Sequence, residues 1–222
     1  MTTLDLGTIV PYYAGMVSIA VPPPGIARSR GRPREFDMDD ALDKAIGVFR
    51  ERGYHATSIG DLSAAMELAS GSLYKAFTDK RAIFLAAFDR YTSRRNEQVR
   101  RVAETGRSGR DRLRDVLAFY VESSQGVEGR RGCLVVGSAV ELAVVDHEIS
   151  TLVAGVLRRN EALLADLIRQ GQADASIPAS IDADATAGVM ICLTQGLRVV
   201  GRTGRSRAQM ADVVDIAMKL LT

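Results

Sequence analysis

Between Gly53 and Lys80 the chain reads GYHATSIGDLSAAMELASGSLYKAFTDK, a run that spaces hydroxyls, small residues and single cations as helices would. Ser70, Ser72, Tyr74 and Lys75 fall opposite Leu73 and Phe77, and hydroxyl and ammonium groups on one helix face suit phosphate oxygens and base edges. Ser58 and Asp61 form an S-x-x-D capping box, which predicts a helix start here and leaves Thr57 and Ser58 at its exposed N-terminus. Ile59, Leu62 and Met66 then recur at three- and four-residue spacing, a stripe that must be buried. Two short helices joined by a tight turn are predicted, the second built to meet DNA.

Elsewhere chemistry-bearing residues are sparse. Cys133, in RRGCLVVGSAVELA, lies near an expected helix start just after Arg130 and Arg131, features that lower a thiol pKa. It is either a redox or electrophile sensor or a structural cysteine. Cys192 sits in a strongly apolar segment and reads as inert. His147 lies between Asp146 and Glu148 with no second histidine at ligand spacing, so Asp146 reads as a helix cap and His147, like His55, as solvated. No zinc spacing, phosphate loop or nucleophile elbow occurs, so no catalytic residue, metal or cofactor is expected and the chain is not read as an enzyme.

The 222 residues are 46% hydrophobic and 25% charged, an ordinary water-soluble composition able to bury a core. The net charge of +2 is too small to announce a nucleic-acid binder, so the position of charge matters more than its sum. Two cysteines are too few for a disulfide framework and point to a reducing cytoplasm. Residues 1–27 are apolar, but no basic segment precedes them, Pro11 interrupts them and three prolines end them, so neither a signal peptide nor a membrane anchor is expected. They read as a flexible extension, in part a product of an upstream start since Met16 could also initiate, or as a weak partner-binding segment. In SRGRPREFD, Arg30 and Arg32 form either an arm for an A·T minor groove or a solvated basic linker.

The elements that must position these residues are all helical. One helix runs from a cap at Asp37 to Gly53, with Leu42, Ala45, Ile46 and Phe49 inward. Another opens near Asp79 and continues towards Thr105, where TGRSGRDR breaks the chain. Five more are expected at about Asp111–Ser124, Arg131–Val145, Glu148–Ala173, Asp182–Arg202 and Ser206–Leu221. Nothing alternates at period two, so strands are not supported. The last two helices carry apolar faces at Val189, Leu193, Gly196, Leu197 and Val200, and at Met210, Val213, Val214, Ala217 and Leu220. No aromatic residue follows Tyr120, so Phe119 and Tyr120 are the body's only rings beyond the connecting helix, and an aliphatic ligand is expected for any pocket there.

From Asp37 to Tyr91 the chain resembles the DNA-binding domain of the TetR family of transcriptional repressors. The resemblance rests on the capped first helix, the G-Y-x-x-T-S step at Gly53–Ser58, the G-S-L-Y-x-x-F core at Gly71–Phe77 and the pair Asp79–Lys80. It implies an all-α fold: a three-helix helix-turn-helix head (residues 37–85, after a flexible extension with a basic arm, 1–36) and a connecting helix leading into a helical ligand-binding and dimerisation body (86–222). It further implies that Thr57, Ser58, Tyr74 and Lys80 hold phosphates while Ser70, Gly71, Ser72 and Lys75 approach bases. The terminal helix pair would form a four-helix bundle with its twin. The partners implied are double-stranded operator DNA, a second copy and a small-molecule inducer, with no membrane. The alternatives are a repressor sensing electrophiles through Cys133, and a helical adaptor that has lost DNA binding. Two positions depart from the family pattern: Glu67 stands at the turn where Gly is usual, and Ala69 where a Ser or Thr caps the recognition helix, so that Ser70 could cap instead and shift its start.

Overall fold

The computed structural model describes residues 37–222; the arginines at 30 and 32 and the apolar residues 1–27 lie outside them. Its helices are α1 (Met38–Arg52), α2 (Ile59–Met66), α3 (Ser70–Ala76), α4 (Lys80–Ala103), α5 (Gly109–Glu122), α6 (Gly126–Arg131), α7 (Leu134–Glu141), α8 (His147–Ala173), α9 (Ala183–Val200) and α10 (Arg207–Ala217). Short 3-10 turns, Gly201–Thr203 and Met218–Leu221, follow the last two, and no strand occurs among the described residues. No described helix is long and apolar enough to cross a membrane.

Side-chain caps set most of the starts. Asp37, Asp79, Ser108, Asp146 and Asp182 each accept a hydrogen bond from a first-turn amide, and Ser58–Asp61 and Ser206–Gln209 close reciprocal capping boxes. Each such cap contributes about 1 kcal/mol. Helices α3, α6 and α7 are the exceptions, beginning after Ala69, Gln125 and Cys133 with no side-chain cap hydrogen bond. The shifted start expected from Ser70 does not occur. Glu67, which ends α2, is left-handed at φ 57°, ψ 35°, a conformation costing a residue with a Cβ about 1 kcal/mol over glycine. Its carboxylate meets Lys44 at 3.1 Å, an exposed pair that offsets little of this.

One expected helix is shorter and another was missed. The segment read as Arg131–Val145 is helical only over Leu134–Glu141 (α7), and the separate α6 before it, Gly126–Arg131, ends at Gly132 with a φ of 81°. Gly126, Gly129 and Gly132 make α6 a poor helix former, which hid it in the sequence. Close approach explains Gly129: a Cβ there would stand 2.1 Å from the Ser124 carbonyl oxygen.

Two apolar cores result. The first packs α1–α3 and the start of α4 through Phe49, Leu62, Leu73 and Phe84, and continues into Leu134, Val135, Ile149, Val153 and Val156 of α7 and α8. The second joins the end of α4 to α5, the far half of α8, α9 and α10. The head core thus extends into helices beyond residue 86. The terminal helices correct part of the expected dimer face. Leu197, Met210, Val214 and Ala217 are 3%, 0%, 6% and 3% exposed and belong to the second core, because their own protomer covers them. Val189 and Ile216 remain open to solvent.

Candidate nucleic-acid interface and a buried arginine chamber

Leu62, Met66 and Leu73 pin α2 and α3 to the head, so that Ser70, Gly71, Tyr74 and Lys75 are exposed and Ser72 is half-buried. These residues form one continuous outward face. Ser58 is also exposed, with its hydroxyl within the capping box. Thr57 is not presented as expected: it is 1% exposed, and its hydroxyl donates to the Gly53 carbonyl at 2.6 Å. The step before α2 is a tight turn that consumes this hydroxyl. Lys80 also faces inward. Its ammonium donates to the carbonyls of Tyr54 at 3.0 Å and Thr57 at 2.9 Å, and lies 4.3 Å from the centroid of the Tyr54 ring. Two of its three N–H groups are thereby engaged inside the protein.

Polar clasps hold this head to the body. Glu141 at the end of α7 accepts from the amides of Tyr54 at 2.9 Å and His55 at 2.6 Å. Arg50 donates to the Gly132 carbonyl and to Glu128, at 2.8 and 2.9 Å. Arg81 bridges Asp146 and Glu148 at the start of α8, at 2.9 and 2.7 Å. Asp146 is therefore both cap and ion-pair partner, while His147 and His55 are exposed as expected.

Where the two apolar cores meet there is a polar seam. A chamber of about 30 Å³ is walled by Tyr91 and Arg95 of α4, Tyr120 of α5, Cys133, Arg159 of α8 and Arg198 of α9, among others. Tyr120 lines it as the sequence suggested. Phe119 instead lines the neighbouring groove of about 640 Å³ between α1, α4, α5 and α6, and Arg95 stacks over its ring at 4.9 Å. Tyr91 and Arg95 border both spaces. The chamber wall sets arginines and amides beside Val135, Val156 and two tyrosine rings, not the aliphatic surface expected, because α4 and α9 turn Arg95 and Arg198 towards it.

Arg198 is 3% exposed; it donates to the Ser123 carbonyl and, at 3.1 Å, to the Tyr91 hydroxyl. Burial alone pulls Arg198 down, but Tyr91 and Cys133 outweigh it and hold its pKa above the ordinary value. Burial dominates at Arg95 and lowers it. The Tyr120 hydroxyl is pushed up to about 12 by burial. At Cys133 burial opposes ionisation, yet the charge of Arg198, the Val136 amide and the Tyr91 hydroxyl at 3.6 Å leave the thiol below its usual range. Cys133 and Cys192 are both free, Cys133 half-buried and Cys192 exposed on α9. No cluster of three potential metal ligands exists among the described residues. In the sequence Arg95 reads, with Arg94, Arg100 and Arg101, as part of a solvated helix face, which its half-buried place in the chamber wall corrects, and Arg198 carries no expectation. The one available signal was an arginine inside the apolar run ICLTQGLRVV.

On the outer side of α9 and α10 a separate apolar groove of about 400 Å³ runs between Val189 and Leu193 on one helix and Val213, Ile216, Ala217 and Leu220 on the other. Gly196 is exposed on the same side, with no atom within 4 Å of where a Cβ would stand. Val200 is half-buried.

Comparison with known proteins decides the kinship. Residues 41–87 match the model for bacterial regulatory proteins of the tetR family, and residues 109–217 that for the tetracyclin repressor-like C-terminal domain. The fold also matches a cysteine mutant of the TetR family transcriptional regulator CifR complexed with 26 bp double-strand operator DNA. That match has a TM-score of 0.77 at 30% identity and covers 85% of this chain and 98% of the other. The chain belongs to the TetR family. It is a TetR-like DNA-binding transcriptional regulator, and α2–α3 is its helix-turn-helix. Among TetR-type relatives it is 29% identical to the HTH-type transcriptional repressor ComR of Escherichia coli, over 88% of this chain and 93% of ComR. It is 28% identical to the uncharacterized HTH-type transcriptional regulator YezE of Bacillus subtilis, over 86% of this chain and 99% of YezE.

Proposed function

We propose that this TetR-family protein is a cytoplasmic, homodimeric repressor that occupies an operator and leaves it when a small-molecule effector binds the body. The outward face of α3 carries this reading: hydroxyls, a glycine and a cation stand free while Leu73 anchors the opposite side. Ser70, Gly71, Ser72 and Lys75 approach base edges; Tyr74 and Ser58 hold phosphates. Lys80 reaches a phosphate with its third N–H and otherwise braces the turn that presents α2. Arg30 and Arg32 add an arm ahead of the head, within residues 1–36. Head (37–85) and body (86–222) divide the roles. Operator DNA in the related CifR complex and the name of ComR as a repressor support this reading.

The α9–α10 groove is the surface that a second copy would cover, through Val189, Leu193, Gly196, Val200 and Val213. Pairing two heads matches two half-sites about 34 Å apart, one helical turn of DNA. Release requires an effector that binds the DNA-competent and released states with different affinity. The seam suits that task, since Gly132, next to Cys133, receives Arg50 from the head. The test is a mobility shift on the DNA upstream of the protein's own gene. A saturable complex containing an even number of protomers supports the reading; retention no better than on shuffled DNA overturns it.

A further inference from the structure

The chamber wall carries the buried Arg198, the half-buried Arg95 and the exposed Arg159, and no aspartate or glutamate. Around the neighbouring groove the arginines find carboxylates: Arg90 and Arg94 share Asp43, Arg50 and Arg131 share Glu128, and Arg207 takes Glu122. Those pairs also consume all three acids of the adjoining groove, Asp43, Glu122 and Glu128. Among the described residues neither Arg95 nor Arg198 meets a carboxylate. Arg198 spends its donors on a carbonyl and hydroxyls, and the recorded hydrogen bond of Arg95 is a 3.4 Å contact to Gln98 one turn along α4. Buried cations are ordinarily paired, because leaving water without a counter-charge is costly. Two inward guanidiniums beside one cavity therefore define an acceptor site for an anion, with forked N–H donors suited to an oxyanion.

Size narrows the class. About 30 Å³ holds roughly two waters, the volume of a carboxylate or phosphate head and no more. Beyond Tyr91 and Arg95 the groove of about 640 Å³ can accept the rest of a molecule, against the ring of Phe119 and Ile46 of α1. We propose that the chamber seats the oxyanion head, carboxylate or phosphate monoester, of a small organic effector whose body lies in the groove between α1 of the head and α4–α6. This rests on the reading of the body as an effector domain. It adds a charge class and a route: the organic part wedges beside Arg50, which clasps Gly132 and Glu128. The internal competitor for the arginines is Cys133, whose thiolate Arg198 favours.

The probes are benzoate and phenyl phosphate, with neutral benzamide as the isosteric control, titrated calorimetrically into the full-length protein. Preference for one or both anions over benzamide by tenfold or more is expected, and the better anion assigns the head. Arg95→Gln should weaken that anion about tenfold or more, with Arg95→Lys intermediate, since a charged hydrogen bond is lost in one and the charge is kept in the other. Cys133→Ser should bind anions at least as tightly, because a competing negative charge is removed. Equal binding of benzamide, or undiminished binding by a folded Arg95→Gln, overturns the site. So does the absence of anion binding up to about 10 mM in protein that shifts operator DNA, which leaves the regulator reading intact. Anion binding through Arg95 in protein with no preference for its upstream DNA keeps the site and sinks the regulator reading instead.

Discussion

The helix-turn-helix and the arginine seam place polar groups in opposite ways. Helices α2 and α3 bury only apolar anchors, and α3 turns Ser70, Tyr74 and Lys75 to solvent, where water satisfies them until DNA arrives. The seam buries Arg198 and half-buries Arg95 between two apolar cores and leaves both without carboxylates. The first arrangement is stable with or without its partner, so it suits a surface that reads DNA. The second has a standing electrostatic cost that an anion relieves, so it suits a switch. One region sets where the protein sits; the other sets when it leaves.

Removing the apolar anchor should do the most damage. Leu73 is fully buried, so Leu73→Ala should lower unfolding free energy by about 2–5 kcal/mol and abolish operator binding, as read by urea denaturation and mobility shift. A stable Leu73→Ala protein that still shifts DNA would break the claim that α3 is held by packing alone. Lys80→Ala sharpens the comparison, since Lys80 belongs to both categories. Loss of two charged hydrogen bonds to the Tyr54 and Thr57 carbonyls should cost about 1.5–3 kcal/mol of stability. A phosphate contact adds a second effect, a salt slope flattened by about 1 and weakening that is alike on all sequences. A full stability loss with an unchanged slope would make Lys80 a brace only.

A smaller effect of opposite sign is expected at the turn. Glu67→Gly should raise stability by about 1 kcal/mol, because the left-handed backbone there no longer carries a Cβ. Thermal unfolding measures it, and a decrease would mean that the Lys44 pair outweighs the strain. At the seam the expected effect is one of pH. The folded thiol of Cys133 lies below its usual value, so between that value and about 8.5 the unfolded chain binds the extra proton. Stability should rise with pH across this window relative to Cys133→Ser, and the advantage should vanish as pH falls through the folded pKa. Parallel stability curves for the two proteins would remove Arg198 as an anion-stabilising neighbour.

The two regions also differ in how they are written. Helix starts and the head core were legible because caps and anchors lie within a few residues: Ser58 with Asp61, Leu62 with Met66, and Leu73 with Phe77. Glu67 and Ala69 were legible as departures, and both produce the left-handed turn and uncapped α3 they implied. The inward turn of Thr57 was not, because its hydroxyl is consumed by Gly53 within a turn whose geometry spacing does not specify. The terminal helices were half legible: periodicity marks an apolar stripe, but both sides of α9 and α10 are apolar, and only packing separates Leu197 and Met210 from Val189 and Ile216. The seam was illegible because it assembles Tyr91, Cys133 and Arg198 from three distant helices or turns. A lone arginine in an apolar helix was its whole sequence signature.

The division between reading and switching is tested most directly by fluorescence anisotropy of the full-length protein on labelled upstream DNA, with shuffled DNA as reference and benzoate, phenyl phosphate or benzamide added at saturation of the operator complex. The expected result is preferential binding that weakens linearly with log salt, and release by at least one of the two anions with benzamide inert. Binding no tighter than to shuffled DNA, or an operator complex on which neither anion acts more strongly than benzamide, would contradict it.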